Sequence, residues 1–302
     1  MDDVPILIPR SIADACATLA TNPDATVLAG GTDLMVEINA GHRRPTAVVS
    51  LGALDELASW QELGRDVPPP TLVLGAGLTY TALMSGRLAE RLPALAAASR
   101  TVGSPQIRNA GTLGGNLGTA SPAGDTLPVL AALDATVDLV SSSGERSLRL
   151  EEFITGPKLT ARRSDELIAS VRFPAPEGPQ QFLKVGTRNA MVIAAVSLAA
   201  IVDRPTRSIR LALGAVGPTS IRAHDAEAWL ADRLDWEMTT APDPTLLAEL
   251  ARRVSASARP IDDHRSTAEY RRHAAGVLAV RAVRRMWSTD QRANHSRSGD
   301  RS

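Results

Sequence analysis

The sequence predicts an α+β protein in two parts, an α/β region followed by a C-terminal unit in which helices back a small antiparallel sheet. Three observations carry this. From Ser11 onward, helix-period and strand-like apolar segments alternate, as they do in an α/β region. Later, the runs "QFLKVGT", "VIAAVSLAAIVD" and "SIRLALGAV" follow one another with only turn residues between them, and helical patterns come after them. Between the two patterns lies "PAPEGPQ" at 174 to 180, a proline and glycine cluster that marks a boundary.

Each element has a local reason. In "SIADACATLA", Ser11 and Asp14 have capping-box spacing, and Ile12, Ala15, Cys16 and Leu19 share one helical face, so Cys16 reads as a core thiol. "ATVLAG" is a strand that ends at a turn on Gly30 and Gly31, and "TAVVSL" is another strand. "DVPPPTLVLGAG" adds a turn and a strand, Thr79 can cap a helix through "YTALMSGRLAERL", and Pro93 can open the next at "PALAAASR". "DTLPVLAALDA" reads as a short helix, "TVDLVSSSGERSLRL" as a hairpin turning at Ser143 and Gly144, and "ELIASVRFP" as a strand. Beyond the boundary, helices are expected around Ala223 to Leu230, Leu246 to Ser257 and Thr267 to Met286. The tail from 288 to 302 lacks apolar residues and is expected to be disordered. The expected division is 1–175, with a split near 55–60, then 178–287.

Composition excludes several function classes. Lys plus Arg is 33 and Asp plus Glu is 33, so the balanced charge gives no reason to expect nucleic acid as a partner. The longest apolar stretch, "MVIAAVSLAAIV", is short of the roughly 20 residues that span a bilayer. The N-terminus lacks the pattern of a secretory signal, and a cytoplasmic location is the expectation. With Cys16 as its only cysteine, the chain can form no internal disulfide and can hold no cysteine-ligated zinc or iron–sulfur cluster. The histidines have no metal-ligand spacing, and none neighbours a plausible catalytic serine.

Two glycine-rich loops carry the chemistry, "AGGTDL" at 29 to 34 and "GTLGGN" at 111 to 116. Each is either a plain tight turn or a nest of backbone N–H groups that holds phosphate without a basic side chain. In the first loop Thr32 adds a hydroxyl, and Asp33 is expected to brace the turn through backbone N–H groups. In the second, Gly114 and Gly115 repeat the device, with Thr112 and Asn116 as donors. Two nests suit the two phosphates of a pyrophosphate. The GxGxxG dinucleotide fingerprint is absent, "GAGLTY" at 75 to 80 being a decoy without the third glycine, and so is GxxxxGK followed by Ser or Thr. Asp125 precedes a helix, where it can cap N–H groups and also reach a ligand hydroxyl. Lys184 stands in the apolar context "QFLKVG", where it must point at solvent or meet an electron-rich partner.

The segments "VLAGGTDL", "TVGSPQIRNAGTLGGNLGTASPAGDTLPVLAALDA", "FLKVG" and "PIDDHRSTAEYRR" resemble, in order, the FAD-binding medium subunit of molybdenum hydroxylases of the carbon monoxide dehydrogenase and xanthine dehydrogenase type. The resemblance runs from about residue 4 to 287. It implies the FAD-binding fold of p-cresol methylhydroxylase and vanillyl alcohol oxidase, with two α/β subdomains and a C-terminal α+β domain. It places the FAD pyrophosphate against Ala29, Gly30, Gly31, Thr32, Asp33 and Leu34, and against Thr112, Gly114, Gly115 and Asn116. Gly111, Thr119, Ala120, Ser121 and Asp125 fall around the ribityl or adenosine portion. Ile168 falls along the isoalloxazine ring unless it is an ordinary core residue, and Lys184 falls at the flavin carbonyl edge. The loop from Gly186 to Met191, with Arg188, matches the segment near the flavin. Neither binding loop contains a histidine, so the FAD is expected to be non-covalent.

By the same resemblance the chain is an electron-transfer subunit of an oxidoreductase. A large subunit would hold the molybdenum cofactor and a small subunit two [2Fe–2S] clusters, in a dimer of heterotrimers. Electrons would leave the FAD for NAD, a quinone, a cytochrome or oxygen. The alternatives are a stand-alone FAD-dependent oxidoreductase resembling the enolpyruvyl reductases, and a flavin-free scaffold subunit.

Overall fold

The computed structural model describes residues 4–64, 69–237 and 242–299, with side chains described as far as residue 287. In chain order the elements begin with β1 (Ile6–Leu7), α1 (Ile12–Thr21), β2 (Thr26–Leu28), α2 (Leu34–Asn39) and β3 (Val48–Ser50). Next come β4 (Trp60–Leu63), β5 (Thr71–Gly75), α3 (Tyr80–Leu83), α4 (Gly86–Arg91), α5 (Pro93–Arg100), α6 (Pro105–Ala110), α7 (Leu113–Thr119) and α8 (Thr126–Ala132). They continue with β6 (Thr136–Ser141), β7 (Gly144–Arg149), α9 (Leu150–Phe153), β8 (Ile154–Gly156), β9 (Leu159–Thr160) and β10 (Leu167–Pro174). The last are β11 (Gln180–Val185), β12 (Val196–Asp203), β13 (Ser208–Gly214), β14 (Ile221–Arg222), α10 (His224–Ala231), α11 (Pro244–Ser257) and α12 (Ala268–Gly299). The tail expected to be disordered from residue 288 falls where no side chain is described.

Helices start where the sequence places their caps. Ser11 Oγ accepts the Asp14 N–H at 3.1 Å, Thr79 Oγ1 accepts that of Ala82 at 3.2 Å, and Pro93 occupies the first turn of α5. The capping box of α1 is only half formed, because the Asp14 carboxylate takes the Arg10 N–H at 2.9 Å instead of that of Ser11. Other boundaries moved. "YTALMSGRLAERL" is broken into α3 and α4, with Gly86 at φ +58° in the left-handed region that costs glycine little. The hairpin turns on Ser142 and Ser143, Gly144 already pairing with Ser141. In the glycine-rich stretch two short helices appear: Ser104 and Thr112 cap α6 and α7, and Pro105 supplies the fixed φ of a first turn.

The chain divides into two compact units, both discontinuous in sequence. The first comprises residues 1–86, 102–121 and 134–175. It holds the parallel sheet β1-β3-β2 and the antiparallel sheet β4-β5-β10-β6-β7. Ala15, Cys16 and Leu19 of α1 pack with Val49, Leu54, Leu57 and Leu167 in one apolar cluster. Burial pushes the Cys16 thiol up, and Asp165 adds to the effect.

The second unit comprises residues 87–101, 122–133 and 176–302. Its antiparallel sheet runs β11-β12-β13-β14, and α10, α11 and α12 join it in one core with Leu198, Leu211, Leu250, Leu278 and Trp287 fully or nearly buried. β12 is buried at seven of its eight positions, as a central strand covered on both faces must be. The helices α5 and α8, which precede the boundary at 174–180 in sequence, pack on this C-terminal sheet.

Candidate functional site

The first glycine loop leaves β2 and enters α2. Gly31 has φ +70°, and its carbonyl accepts the Met35 N–H at 3.0 Å. Among the described residues, the backbone N–H groups of Gly30, Gly31, Thr32, Asp33 and Leu34 have no hydrogen-bond partner. Five successive free donors make a ready anion nest. Gly30 serves a different end: a Cβ there would lie 1.9 Å from the carbonyl oxygen of Ala110 and 2.9 Å from Cα of Gly111. Only glycine lets the two loops approach so closely.

The second loop is not the second nest that the sequence suggested. Its N–H groups are already used: Leu113 donates to Leu78 O at 2.9 Å, Gly114 to Ala76 O at 2.7 Å, Gly115 to Thr112 Oγ1 at 3.0 Å and Asn116 to Thr112 O at 3.0 Å. Glycine in a helix costs about 1 kcal/mol relative to alanine, yet α7 contains Gly114, Gly115 and Gly118. Packing accounts for Gly114, where a Cβ would lie 2.6 Å from that of Ala76. At Gly115 a Cβ meets only Thr112 Oγ1 at 3.1 Å and Ala29 Cβ at 4.0 Å, and at Gly118 only Ile168 Cδ1 at 3.7 Å. These two glycines keep one helix surface bare.

Two carboxylates act otherwise than expected. Asp33 makes no side-chain cap to α2; it accepts the Thr119 hydroxyl at 3.2 Å and so ties the first loop to the end of α7. Asp125 makes no side-chain cap to α8. Its Oδ2 instead accepts Lys184 Nζ at 2.5 Å and Thr101 Oγ1 at 3.0 Å, while its buried Oδ1 has no partner. Burial pushes the Asp125 carboxyl up against the pull of Lys184 and Thr101. Lys184 also approaches Thr101 O at 3.4 Å, so it takes the electron-rich partner rather than solvent.

The first unit contains a cavity of about 680 Å³, within the range of small-molecule and cofactor sites. Ala29, Gly30, Gly31, Thr32, Asp33 and Leu34 line it together with Thr112, Gly114, Gly115, Asn116, Thr119 and Ile168. Gly111 stands behind the wall, donating to Ile107 O and accepting from Tyr80 N–H. Ala120, at φ 45°, ends α7 in the left-handed region and accepts the Lys158 N–H at 3.0 Å. Ser121 is half-buried, and Asp125 and Lys184 belong to the second unit. Arg188 is exposed and donates to Met191 O at 3.1 Å.

Sequence reasoning missed several wall residues. Ala76, Gly77, Thr79 and Tyr80 come from "GAGLTY", which carries no dinucleotide fingerprint but pairs through its backbone with residues 111–114 and so positions the second loop. No local pattern signals that role: the pairing with residues 111–114 exists only in the fold. The charged wall was missed too. Lys158 Nζ meets Glu37 Oε1 at 2.7 Å and Arg43 stands 3.8 Å from Glu37 Oε2, which lowers the Glu37 pKa, chiefly through the Lys158 hydrogen bond. Glu166 is gripped by Arg146 at 2.5 and 2.9 Å and by the Arg163 N–H at 2.7 Å. No histidine or cysteine is among the described lining residues.

Two families match successive stretches of the chain. Residues 2–176 match the family described as the FAD binding domain in molybdopterin dehydrogenase, and residues 181–286 match the CO dehydrogenase flavoprotein C-terminal domain. The glyceraldehyde dehydrogenase medium chain of Sulfolobus acidocaldarius is 30% identical over 279 residues, 91% of this chain and 95% of that one. The xanthine dehydrogenase FAD-binding subunit of Escherichia coli O157:H7 is 30% identical over 282 residues, 90% and 92% of the two chains. Among solved structures, a chain of the reconstituted CO dehydrogenase from Oligotropha carboxidovorans superposes with a TM-score of 0.84 at 30% identity, covering 95% of this chain and 98% of that one.

Proposed function

This chain belongs to the FAD-binding medium-subunit family of molybdenum hydroxylases, and on that premise we propose that it carries electrons within a heteromeric enzyme. One observation supports the reading most directly. Two glycine-bearing segments 84 residues apart, Gly31 to Gly115, face a single cavity, and one of them offers five N–H donors in succession without partners among the described residues.

The residues fit an FAD. The donors of 30–34 would hold pyrophosphate oxygens, and the Asp33–Thr119 hydrogen bond would keep that loop against α7. The bare surface of Gly115 and Gly118 would leave room for the cofactor, and Ile168, 8% exposed, offers an apolar contact for a flat ring. Thr112 and Asn116 would complete the polar wall. Gly111, Ala120 and Ser121 enter the proposal through the resemblance. Asp125 and Lys184, which do not line this cavity, do so as well. When bound, FAD supplies the one- and two-electron exchange that no side chain has. With no histidine or cysteine on the described wall, attachment would be non-covalent.

In this reading a large subunit holds the molybdenum cofactor, a small subunit relays electrons through [2Fe–2S] clusters, and the assembly is a dimer of heterotrimers in the cytoplasm. No helix among the described residues is long and apolar enough to cross a membrane. The acceptor is NAD, a quinone, a cytochrome or oxygen. The expected domains are 1–175 and 178–287. The purified chain reconstituted with FAD is expected to retain a flavin band at about 450 nm after gel filtration, and to oxidise no hydroxylase substrate until partners carrying molybdenum and iron are added. Loss of the band on gel filtration, or full turnover by the single chain, defeats the proposal.

A further inference from the structure

The cavity wall carries three cations, Arg43, Lys158 and Arg162, and only the first two have a carboxylate partner in Glu37. Arg162 is different. Its NH1 sits among the carbonyls of Arg163, Ser164 and Glu166 at 3.0, 3.5 and 2.6 Å, while its Nε and NH2 have no hydrogen-bond partner among the described residues. Glu166, the nearby acid, has its oxygens taken by Arg146 and the Arg163 N–H. Burial pushes the Arg162 guanidinium down and Arg43 adds to the push, while Glu166 and Asp165 oppose it, and an arginine stays charged at neutral pH. A half-buried cation with no carboxylate in hydrogen-bond contact among the described residues is only partly compensated, which is costly to keep. Three carbonyls fix one end of this fork, and the two-donor Nε and NH2 edge stays unused on a residue that lines the cavity.

We propose that Arg162 is an anion-binding residue of the FAD site, its free Nε and NH2 edge donating to a phosphate oxygen of the pyrophosphate that the nest at 30–34 receives. The inference rests on the reading of this cavity as the FAD site. A guanidinium edge matches two oxygens on one phosphorus, whereas backbone N–H donors take one oxygen each. The nest therefore positions the pyrophosphate, and Arg162 offsets one of its two negative charges. Lys158 and Arg43 remain occupied by Glu37, so Arg162 is the cation free to pair without first breaking an ion pair.

FAD fluorescence quenching on the full chain, titrated at low and high salt, tests this. Arg162→Gln is expected to weaken FAD binding by roughly tenfold to a hundredfold at low salt, the value of a hydrogen bond to a charged group, and to flatten the salt dependence. Arg162→Lys is expected to keep the salt dependence with a smaller loss. An unchanged dissociation constant in Arg162→Gln overturns the inference, and so does a weakened one with the wild-type salt dependence, which would mean packing or contact with the uncharged flavin. Thermal unfolding of the FAD-free variant controls for lost carbonyl contacts: a variant that fails to fold is replaced by Arg162→Lys, for which loss of the salt dependence overturns the inference. If the wild-type chain binds no FAD, it is the cavity assignment itself that fails.

Discussion

Two glycines of the site differ in what a methyl group would meet. At Gly30 a Cβ runs into backbone, 1.9 Å from Ala110 O, so Gly30→Ala must push the two loops apart. Overpacking of this kind costs about 1–3 kcal/mol, and the variant is expected to lose both thermal stability and FAD binding. Gly115→Val is expected to stay folded with a smaller loss of melting temperature than Gly30→Ala, because its first contacts are the Thr112 hydroxyl at 3.1 Å, which must shift slightly, and Ala29 Cβ at 4.0 Å, and to lose FAD binding because its side chain fills the cavity. Parallel melting curves and FAD titrations separate the two. Equal loss of stability in both would show that Gly115 is needed for packing. Asp33 and Asp125 show the limit of residue-level reasoning. Both stand at helix starts, where a carboxylate ordinarily caps, and both turn instead to partners distant in sequence, Thr119 and Lys184.

At the scale of elements, the start of α12 is tied to the end of β13 through Arg271, which donates to Ala215 O at 2.7 Å and to Asp263 Oδ1 at 2.5 Å. Burial alone would raise the Asp263 pKa, but the Arg265 and Ser266 N–H groups and the Arg271 guanidinium outweigh it and take it down to about 2. A carboxyl whose folded pKa lies below its unfolded value stabilises the protein above that unfolded value, and the contribution fades as pH falls toward the folded one. Asp263→Asn is therefore expected to lower urea stability at pH 7 and to differ little from wild type near pH 2. A gap between the two proteins that stays constant with pH would rule out the ion pair as the cause. The glycine-rich stretch also belongs to this scale. Its composition argued for irregular backbone, yet caps at Ser104 and Thr112 start α6 and α7, so short local signals outweighed the composition.

At the scale of the molecule, FAD that binds only the folded chain must stabilise it by mass action, about 2.7 kcal/mol at a free concentration of 100 times the dissociation constant. The melting temperature is expected to rise steadily with added FAD in the wild type and to stay flat in Gly115→Val. A rise in both would place the FAD elsewhere. Much of the fold was legible because its signals are local: the strands β10 to β13 and the helices α10 and α11 lie within a few residues of where periodicity places them. β1 and β4 were not, having two and four residues and little apolar pattern, and α2 was hidden behind the paired glycines.

From the sequence alone came the family, the α+β class, the two glycine loops and the exclusion of a cysteine-ligated cluster, because each rests on residue identity and local order. Tertiary structure alone decided how the loops work. One is a nest with free donors and the other a helix whose donors are spent on residues 76–80 and on its own cap, a difference set by which backbone lies alongside. It also decided that "GAGLTY" supports the site and that Arg162 lines the cavity with no carboxylate in hydrogen-bond contact among the described residues. Hydrogen-bond partners distant along the chain exist only once the chain has folded, so no local pattern announces them.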